Sequence, residues 1–264
     1  MSAGGYTSLF DDQAAAYSQF RPTYPQDLYD LVLEYAQLPQ QQVCLDIATG
    51  QGQAAVELAK RFERVVAIEP NAKQLQHAVP AENITYREGS AEASGMPDAS
   101  VDLVASAQAC HWFELEPFWE EVRRILLPGG AFAVWGYDLV QVPGNAAATQ
   151  VLWRMENVTL GPYWSDRRKL VSGHYRDCLP KDGMFADVKH VELGSPLSLT
   201  MQQIVGWVST WSSYSTYKRH HPDGPDPLPA FQQELATALI GAQEDSSIKL
   251  NFPIFIILGK KLAK

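Results

Sequence analysis

Cysteine is scarce in this chain of 264 residues: Cys44, Cys110 and Cys178 stand far apart and follow no metal-ligand spacing. An odd, scattered set excludes a disulfide framework or a cysteine-built metal site and favours a reducing compartment. Long apolar runs are missing as well. The longest, Phe252 to Gly259, is strand-sized and far too short to span a bilayer. Met1 to Phe10 shows no basic segment followed by an apolar core, so no secretory leader is read there. Positive charge is the third shortage, with 21 Lys and Arg against 30 Asp and Glu and a net charge of −9. Nucleic acids and anionic membranes select clustered basic residues, so neither is expected as a partner. The expectation is a cytoplasmic protein, monomeric or homodimeric, acting on something small.

What is present is apolar material, 46% of residues with 11% aromatic, ample for one large core. From about Gln42 to Asp138, short apolar runs alternate with amphipathic stretches at the rhythm of βα units. Strands are predicted at Val43 to Ile47, Val65 to Glu69, Ile84 to Glu88, Val101 to Ala107 and Ala131 to Tyr137. Helices are predicted from Ala54 through Phe62, from Ala72 to Ala78 behind an Asn71 cap, and from Leu115 to Leu127. Pro128-Gly129-Gly130 reads as the turn that ends the last of these. Beyond Asp138 the rhythm loosens. Helices are expected over Asn145 to Leu160, Gln202 to Tyr217 and Leu228 to Ala242, and strands over Val188 to Leu193 and Phe252 to Leu258. The fold class is therefore α/β: a Rossmann-like, seven-stranded, mostly parallel sheet flanked by helices, with a helical cap from the second half. One domain is expected, with an N-terminal lid and helix (1–41), a ligand-binding core (42–138), a cap containing a sixth strand (139–249) and a closing strand (250–264).

The loop after the first strand carries the chemistry. Gly50-x-Gly52 between a strand and a helix permits a tight turn and the close approach of a ligand. Alone, it fits a dinucleotide as well, because Gly50-x-Gly52-x-x-Ala55 satisfies the looser G-x-G-x-x-A pattern. Asp46, four residues before Gly50, argues against a pyrophosphate through charge repulsion. It suits S-adenosylmethionine, whose methionine end carries an ammonium and whose sulfur is cationic, and the amides at the helix start would receive its carboxylate. Otherwise Asp46 only caps the turn. Glu69 ends the second strand, where an acid accepts both hydroxyls of a ribose.

Together these residues resemble the class I S-adenosylmethionine-dependent methyltransferases. Asp46-Ile-Ala-Thr-Gly-Gln-Gly52 looks like the first motif of that family, and Ile68-Glu69-Pro70 like its second. Gly89-Ser90-Ala91-Glu92 is similar to the segment bordering adenine, Ala107 to Phe113 to the segment after strand 4, and Leu126-Leu127-Pro128-Gly129-Gly130 to the turn before strand 5. The N-terminal Phe10-Asp11 to Tyr24-Pro25, Thr210 to Tyr214 and the closing Gly259-Lys260-Lys261 resemble the trans-aconitate methyltransferase-like subgroup. The resemblance implies that Tyr17, Arg21 and Tyr24 enclose the methionine end, with a lid over residues 10–25. It implies a cofactor cradle of Asp46, Ala48, Gly50, Gly52, Gln53, Glu69, Pro70, Ser90, Ala91, Glu92 and Gln108. Ala48 departs from the glycine common at its position.

His111 follows the fourth strand and would take a proton from an acceptor or orient it; the plainer role is a wall beside the cofactor, with Trp112. Trp207, Trp211 and Tyr214 fall at i, i+4 and i+7, one helical face, which packs as core or lines an acceptor pocket together with Tyr137. Arg167-Arg168-Lys169 and Lys218-Arg219-His220-His221 are basic runs that either meet a substrate carboxylate or face solvent. No metal is expected. A methyltransferase of a small acceptor, with a carboxylate oxygen as the leading target, stands against C- or N-methylation, a nicotinamide oxidoreductase and a catalytically silent binding protein.

Overall fold

The computed structural model describes Phe20, residues 23–239 and residues 247–262. Aliphatic runs buried on both faces form the centre of its sheet: Val43–Ile47 (β1), Arg64–Glu69 (β2) and Val101–Ala107 (β4). Ile84–Glu88 (β3) is only half-buried, which explains its weaker apolar pattern. Leu126–Tyr137 (β5), Ala186–Leu199 (β6) and Ile248–Lys260 (β7) complete seven strands in the order β3-β2-β1-β4-β5-β7-β6. Strands β1 to β5 pair in parallel, as near-continuous apolar strands covered by helices must. The chain runs from β1 outward to β3 on one side, then returns to place β4 on the other. That reversal makes the carboxyl ends of β1 and β4 the place where an open α/β sheet receives a ligand.

The helices are Gln26–Ala36 (α1), Gln53–Ala59 (α2), Ala72–Leu75 (α3), Leu115–Ile125 (α4), Ala146–Arg154 (α5), Arg168–Ser172 (α6), Met201–Ser209 (α7), Ser212–His220 (α8) and Pro227–Ala238 (α9). Asn71 does cap α3, accepting the Lys73 amide at 2.9 Å, but the helix stops at Leu75. Two expectations fail for identifiable reasons. Pro128-Gly129-Gly130 lies inside β5, because Leu126 already pairs with Val101, while Gly129 and Gly130 exchange backbone hydrogen bonds with Lys261. The stretch Gln202 to Tyr217 is two helices. At their junction the Thr210 hydroxyl donates to the Trp207 carbonyl at 2.6 Å, and Trp211 becomes extended (ψ 138°). A side chain that bonds the backbone in this way competes with the helix ladder.

The described chain divides into two compact units. One comprises Thr23–Gly136, Lys169–Glu192 and the residues from Phe255 onward. Its aromatic core runs Phe113, Phe118, Trp119, Phe132 and Phe185 with ring centroids 4.6–5.9 Å apart. Each such buried side chain contributes on the order of 2 kcal/mol. The Trp119 indole nitrogen donates to the Cys178 carbonyl at 2.9 Å. The other unit comprises Tyr137–Arg168 and Leu193–Ile254 together with Phe20. In it α5 continues as a π-helix over Met155–Thr159, and Gly206 lies so close to the Phe20 ring that a Cβ would approach to 2.5 Å.

Candidate active site

Asp46 is the penultimate residue of β1 and is fully buried. Its Oδ2 accepts the Thr49 hydroxyl at 2.5 Å, while Oδ1 is buried with no hydrogen-bond partner among the described residues. Burial pushes the carboxyl up to about 7, against the pull of Thr49 and the Ala55 amide, with nearby Glu69 adding to the rise. Glu69 ends β2 and is clamped from both sides: Oε2 accepts the Gly50 amide and Oε1 the Asn71 amide, each at 3.0 Å. Burial raises its pKa as well, opposed by those two amides. The two acids thus share one hydrogen-bonded structure with the glycine loop.

The loop turns through three positive φ angles, Ala48 at 55°, Gly50 at 58° and Gly52 at 88°. Its glycines do different jobs. A Cβ on Gly50 meets nothing within 4 Å among the described residues, which leave that face of the loop open. A Cβ on Gly52 would lie 2.1 Å from the Tyr86 hydroxyl, which itself donates to the Val79 carbonyl. Gly50 leaves room for a ligand and Gly52 leaves room for the protein. The amides of Thr49, Gly50 and Gly52 are already bonded to Ile68, Glu69 and Thr49, so these three are taken up in holding the turn. That narrows the expectation that the loop amides receive a ligand carboxylate. Gln53 begins α2, and Pro70 follows Glu69.

Of the residues expected to border adenine, Ser90 forms an isolated bridge with Ala93, Ala91 is buried, and Glu92 turns its carboxylate to the Glu114 amide at 3.0 Å. Gln108 sits just past β4 at φ 54°, its amide bonded to the Trp135 carbonyl at 2.7 Å. The Gln108 side-chain oxygen covers Gly136, where a Cβ would come within 2.8 Å. Tyr24 sets its ring edgewise on Trp135 with centroids 5.6 Å apart. Tyr17, Arg21 and most of the expected lid lie outside the described residues.

His111 lies in a single 3-10 turn, Cys110–Trp112, just beyond the carboxyl end of β4, with its side chain largely buried. Nδ1 stands 2.8 Å from the Tyr175 hydroxyl, and the ring leans on Trp112 at 4.9 Å. The aromatic residues of the second unit form a connected row: Tyr137 on Trp207, Trp207 edgewise on Trp211 at 5.1 Å, and Trp211 against Trp164. Tyr214 does not join this row. Its hydroxyl donates to Asp226 at 2.8 Å, and burial together with that carboxylate holds its pKa up.

Arg168 is not a solvated member of a basic run. It forms an ion pair with Asp138 at 2.9 Å and with Glu156, and its guanidinium lies 5.2 Å over the Trp164 ring. Burial pulls the guanidinium down, but Glu156 and Asp138 more than offset it. Thr49 and Tyr86 pack into this loop and Tyr175 meets His111, contacts that the sequence did not single out. Only Thr49 carried a readable signal, as the hydroxyl three residues after a buried acid.

The strand order, the reversal at β1 and β4 and the paired strand-end acids define a nucleoside-binding protein of Rossmann-like architecture. The orphaned Asp46 Oδ1 and the open face at Gly50 fit a ligand bringing positive charge to the loop, as the methionine end of S-adenosylmethionine does. Comparison with known proteins agrees. A family model described as a methyltransferase domain matches residues 45–134. A Dictyostelium discoideum protein named as a methyltransferase is 34% identical over 258 residues, 96% of each chain. A Saccharomyces cerevisiae protein named as an S-adenosylmethionine-dependent methyltransferase is 25% identical over 94% of this chain and 96% of its own. A structure from Anaeromyxobacter dehalogenans, described as a type II methyltransferase, has a TM-score of 0.80 at 33% identity, over 93% of this chain and 100% of that one. Haemonchus contortus phosphoethanolamine N-methyltransferase 2, solved with S-adenosyl-L-methionine, shares the fold at a TM-score of 0.52 and 16% identity, over 96% of this chain and 57% of its own. The chain belongs to the class I S-adenosylmethionine-dependent methyltransferases, and S-adenosylmethionine is its cofactor. Among the described residues no helix is long and apolar enough to cross a membrane.

Proposed function

We propose that the enzyme methylates a small acceptor whose reacting atom gives up a proton to His111. The cofactor supplies a methyl group on an already cationic sulfur, so the chain mainly has to hold, orient and exclude water. Asp46 would face the methionine end, Glu69 would accept the ribose hydroxyls through oxygens already fixed by Gly50 and Asn71, and Ser90 to Glu92 would border adenine. Bound there, S-adenosylmethionine would give its methyl group to the acceptor atom and would leave as the neutral thioether. The acceptor's proton passes to the imidazole.

The observation that carries this reading is the buried His111 at the carboxyl end of β4, tied through Nδ1 to Tyr175. A buried wall histidine would also need a partner for its ring nitrogen; what supports the base is that the tie holds the ring in one orientation at the strand end, as general-base catalysis requires. The setting favours an alcohol, amine or carbon acid. The subgroup resemblance suggested a carboxylate acceptor, which needs no base, but Arg168, a candidate to bind one, is engaged by two carboxylates of the chain. A net charge of −9 also disfavours a polyanionic acceptor such as nucleic acid.

Transfer of labelled methyl from S-adenosylmethionine to panels of small alcohols, amines, carbon acids and carboxylic acids tests this reading. Transfer to the first three classes, reduced on the order of a hundredfold in His111→Asn, is expected for a lost general base. Transfer confined to carboxylates and indifferent to that substitution would overturn it.

A further inference from the structure

Tyr175 lies 64 residues beyond His111 and is completely buried, yet its hydroxyl meets His111 Nδ1 at 2.8 Å. The backbone that delivers it is strained: His174 (φ 52°) and Tyr175 (φ 57°) are consecutive non-glycine residues in the left-handed region. That geometry is held in place from several sides. The Tyr175 amide donates to the Leu170 carbonyl and the Cys178 amide to the Tyr175 carbonyl, both at 2.9 Å. Phe255 supports both rings, stacked on His174 at 5.0 Å and edge-on to Tyr175 at 4.8 Å. Two adjacent strained residues, over-determined by packing, are a costly way to satisfy one tyrosine hydroxyl. Such strain gathers where a side chain must stand in one place.

What the contact accomplishes follows from the two nitrogens of a neutral imidazole. One carries the proton and the other the lone pair; a tyrosine hydroxyl can donate to Nδ1 or accept from it, so the work done at Nε2 decides which. With Nδ1 facing Tyr175, a base acting on an acceptor would act through Nε2, and Nε2 takes a proton only if Nδ1 holds the ring's own. We propose that Tyr175 is a positioning residue for His111, its hydroxyl oxygen accepting the Nδ1–H so that the imidazole keeps its lone pair on Nε2. This rests on the reading of His111 as the proton acceptor. It adds the residue that selects the reactive tautomer and links the strained turn after α6 to the chemistry. When the ring takes the acceptor's proton, the same oxygen supports the imidazolium through Nδ1–H, so the contact serves before and after transfer.

Nitrogen-15 NMR of histidine-labelled protein at pH 8, with the His111 signals assigned by their loss in His111→Asn, reads the tautomer directly. The expected result is the Nδ1–H form in the unaltered protein. In Tyr175→Phe, which keeps the ring against Phe255, a mixture of the two tautomers is expected. That variant should also lose about tenfold or more in kcat with an acceptor found by the methyl-transfer screen, with the same affinity for S-adenosylhomocysteine by calorimetry. An Nε2–H tautomer in the unaltered protein, or a tautomer unmoved by Tyr175→Phe, would overturn the proposal. If Tyr175→Phe does not fold, the spectrum of the unaltered protein decides alone. Failure of the unaltered protein to bind S-adenosylhomocysteine would instead remove the cofactor assignment, an outcome separate from the tautomer.

Discussion

At the scale of single residues, Asp46 holds the sharpest consequence. Its carboxyl titrates near 7 when folded, against about 4 in an unfolded chain. Below pH 4 both states are protonated and the group has no effect. As pH rises from 4 to 7 the unfolded chain ionises first, so the ligand-free protein loses stability, and above 7 the full cost remains. Asp46→Asn removes that cost, and the ligand-free variant should be more stable at pH 8 by on the order of 1–3 kcal/mol. A cationic ligand does the opposite to the acid, drawing its pKa down. Binding of S-adenosylmethionine near pH 7 should therefore release roughly half a proton, and the Asn variant should release none and bind about tenfold or more weakly. Calorimetry in buffers of different ionisation enthalpy measures both. Equal proton release by the two proteins would separate Asp46 from the ligand.

Among elements, the π-helical turn after α5 and the start of α6 depend on one another through Arg168. Removing that side chain takes an ion pair from Asp138 and the counter-ion from Glu156, which is buried. Arg168→Met should cost about 3–5 kcal/mol by urea denaturation. A loss below about 1 kcal/mol would mean the cluster is solvated after all. This was also the plainest misreading from sequence, because three basic residues in a row look like a solvated surface and nothing local announces two distant acids. The boundary between α7 and α8 was hidden similarly, since it depends on one hydroxyl, Thr210, choosing a carbonyl over solvent. In contrast β1, β2 and β4 were readable because double burial leaves an unbroken apolar run. The acids at the ends of β1 and β2 were readable because each interrupts such a run. Tyr175 was not, since its role depends on two left-handed residues that no sequence preference predicts.

For the molecule as a whole, the ligand and the fold share one equilibrium. Asp46, Glu69, Gln108 and His111 all belong to the unit built from Thr23–Gly136, Lys169–Glu192 and the C-terminal strand end. On the proposed reading the cofactor binds there, and a ligand bound to the folded state resists unfolding by mass action. S-adenosylhomocysteine at a hundred times its Kd should add about 2.7 kcal/mol and raise the melting temperature by roughly 5–10 °C. Differential scanning calorimetry checks this, and an equal rise with NAD would contradict the cofactor assignment.

The clamp on Glu69 changes how its own mutants must be interpreted. Its carboxylate bonds the amide of Gly50 as well as that of Asn71, so the proposed ribose acid and the glycine turn are mechanically one piece. A Glu69 variant that binds cofactor poorly would have lost more than the proposed ribose contacts, because the turn at Gly50 would also have lost its anchor. A weakened site measured that way overstates the ribose contribution. Cofactor analogues lacking one ribose hydroxyl, tried on the unaltered protein, isolate it.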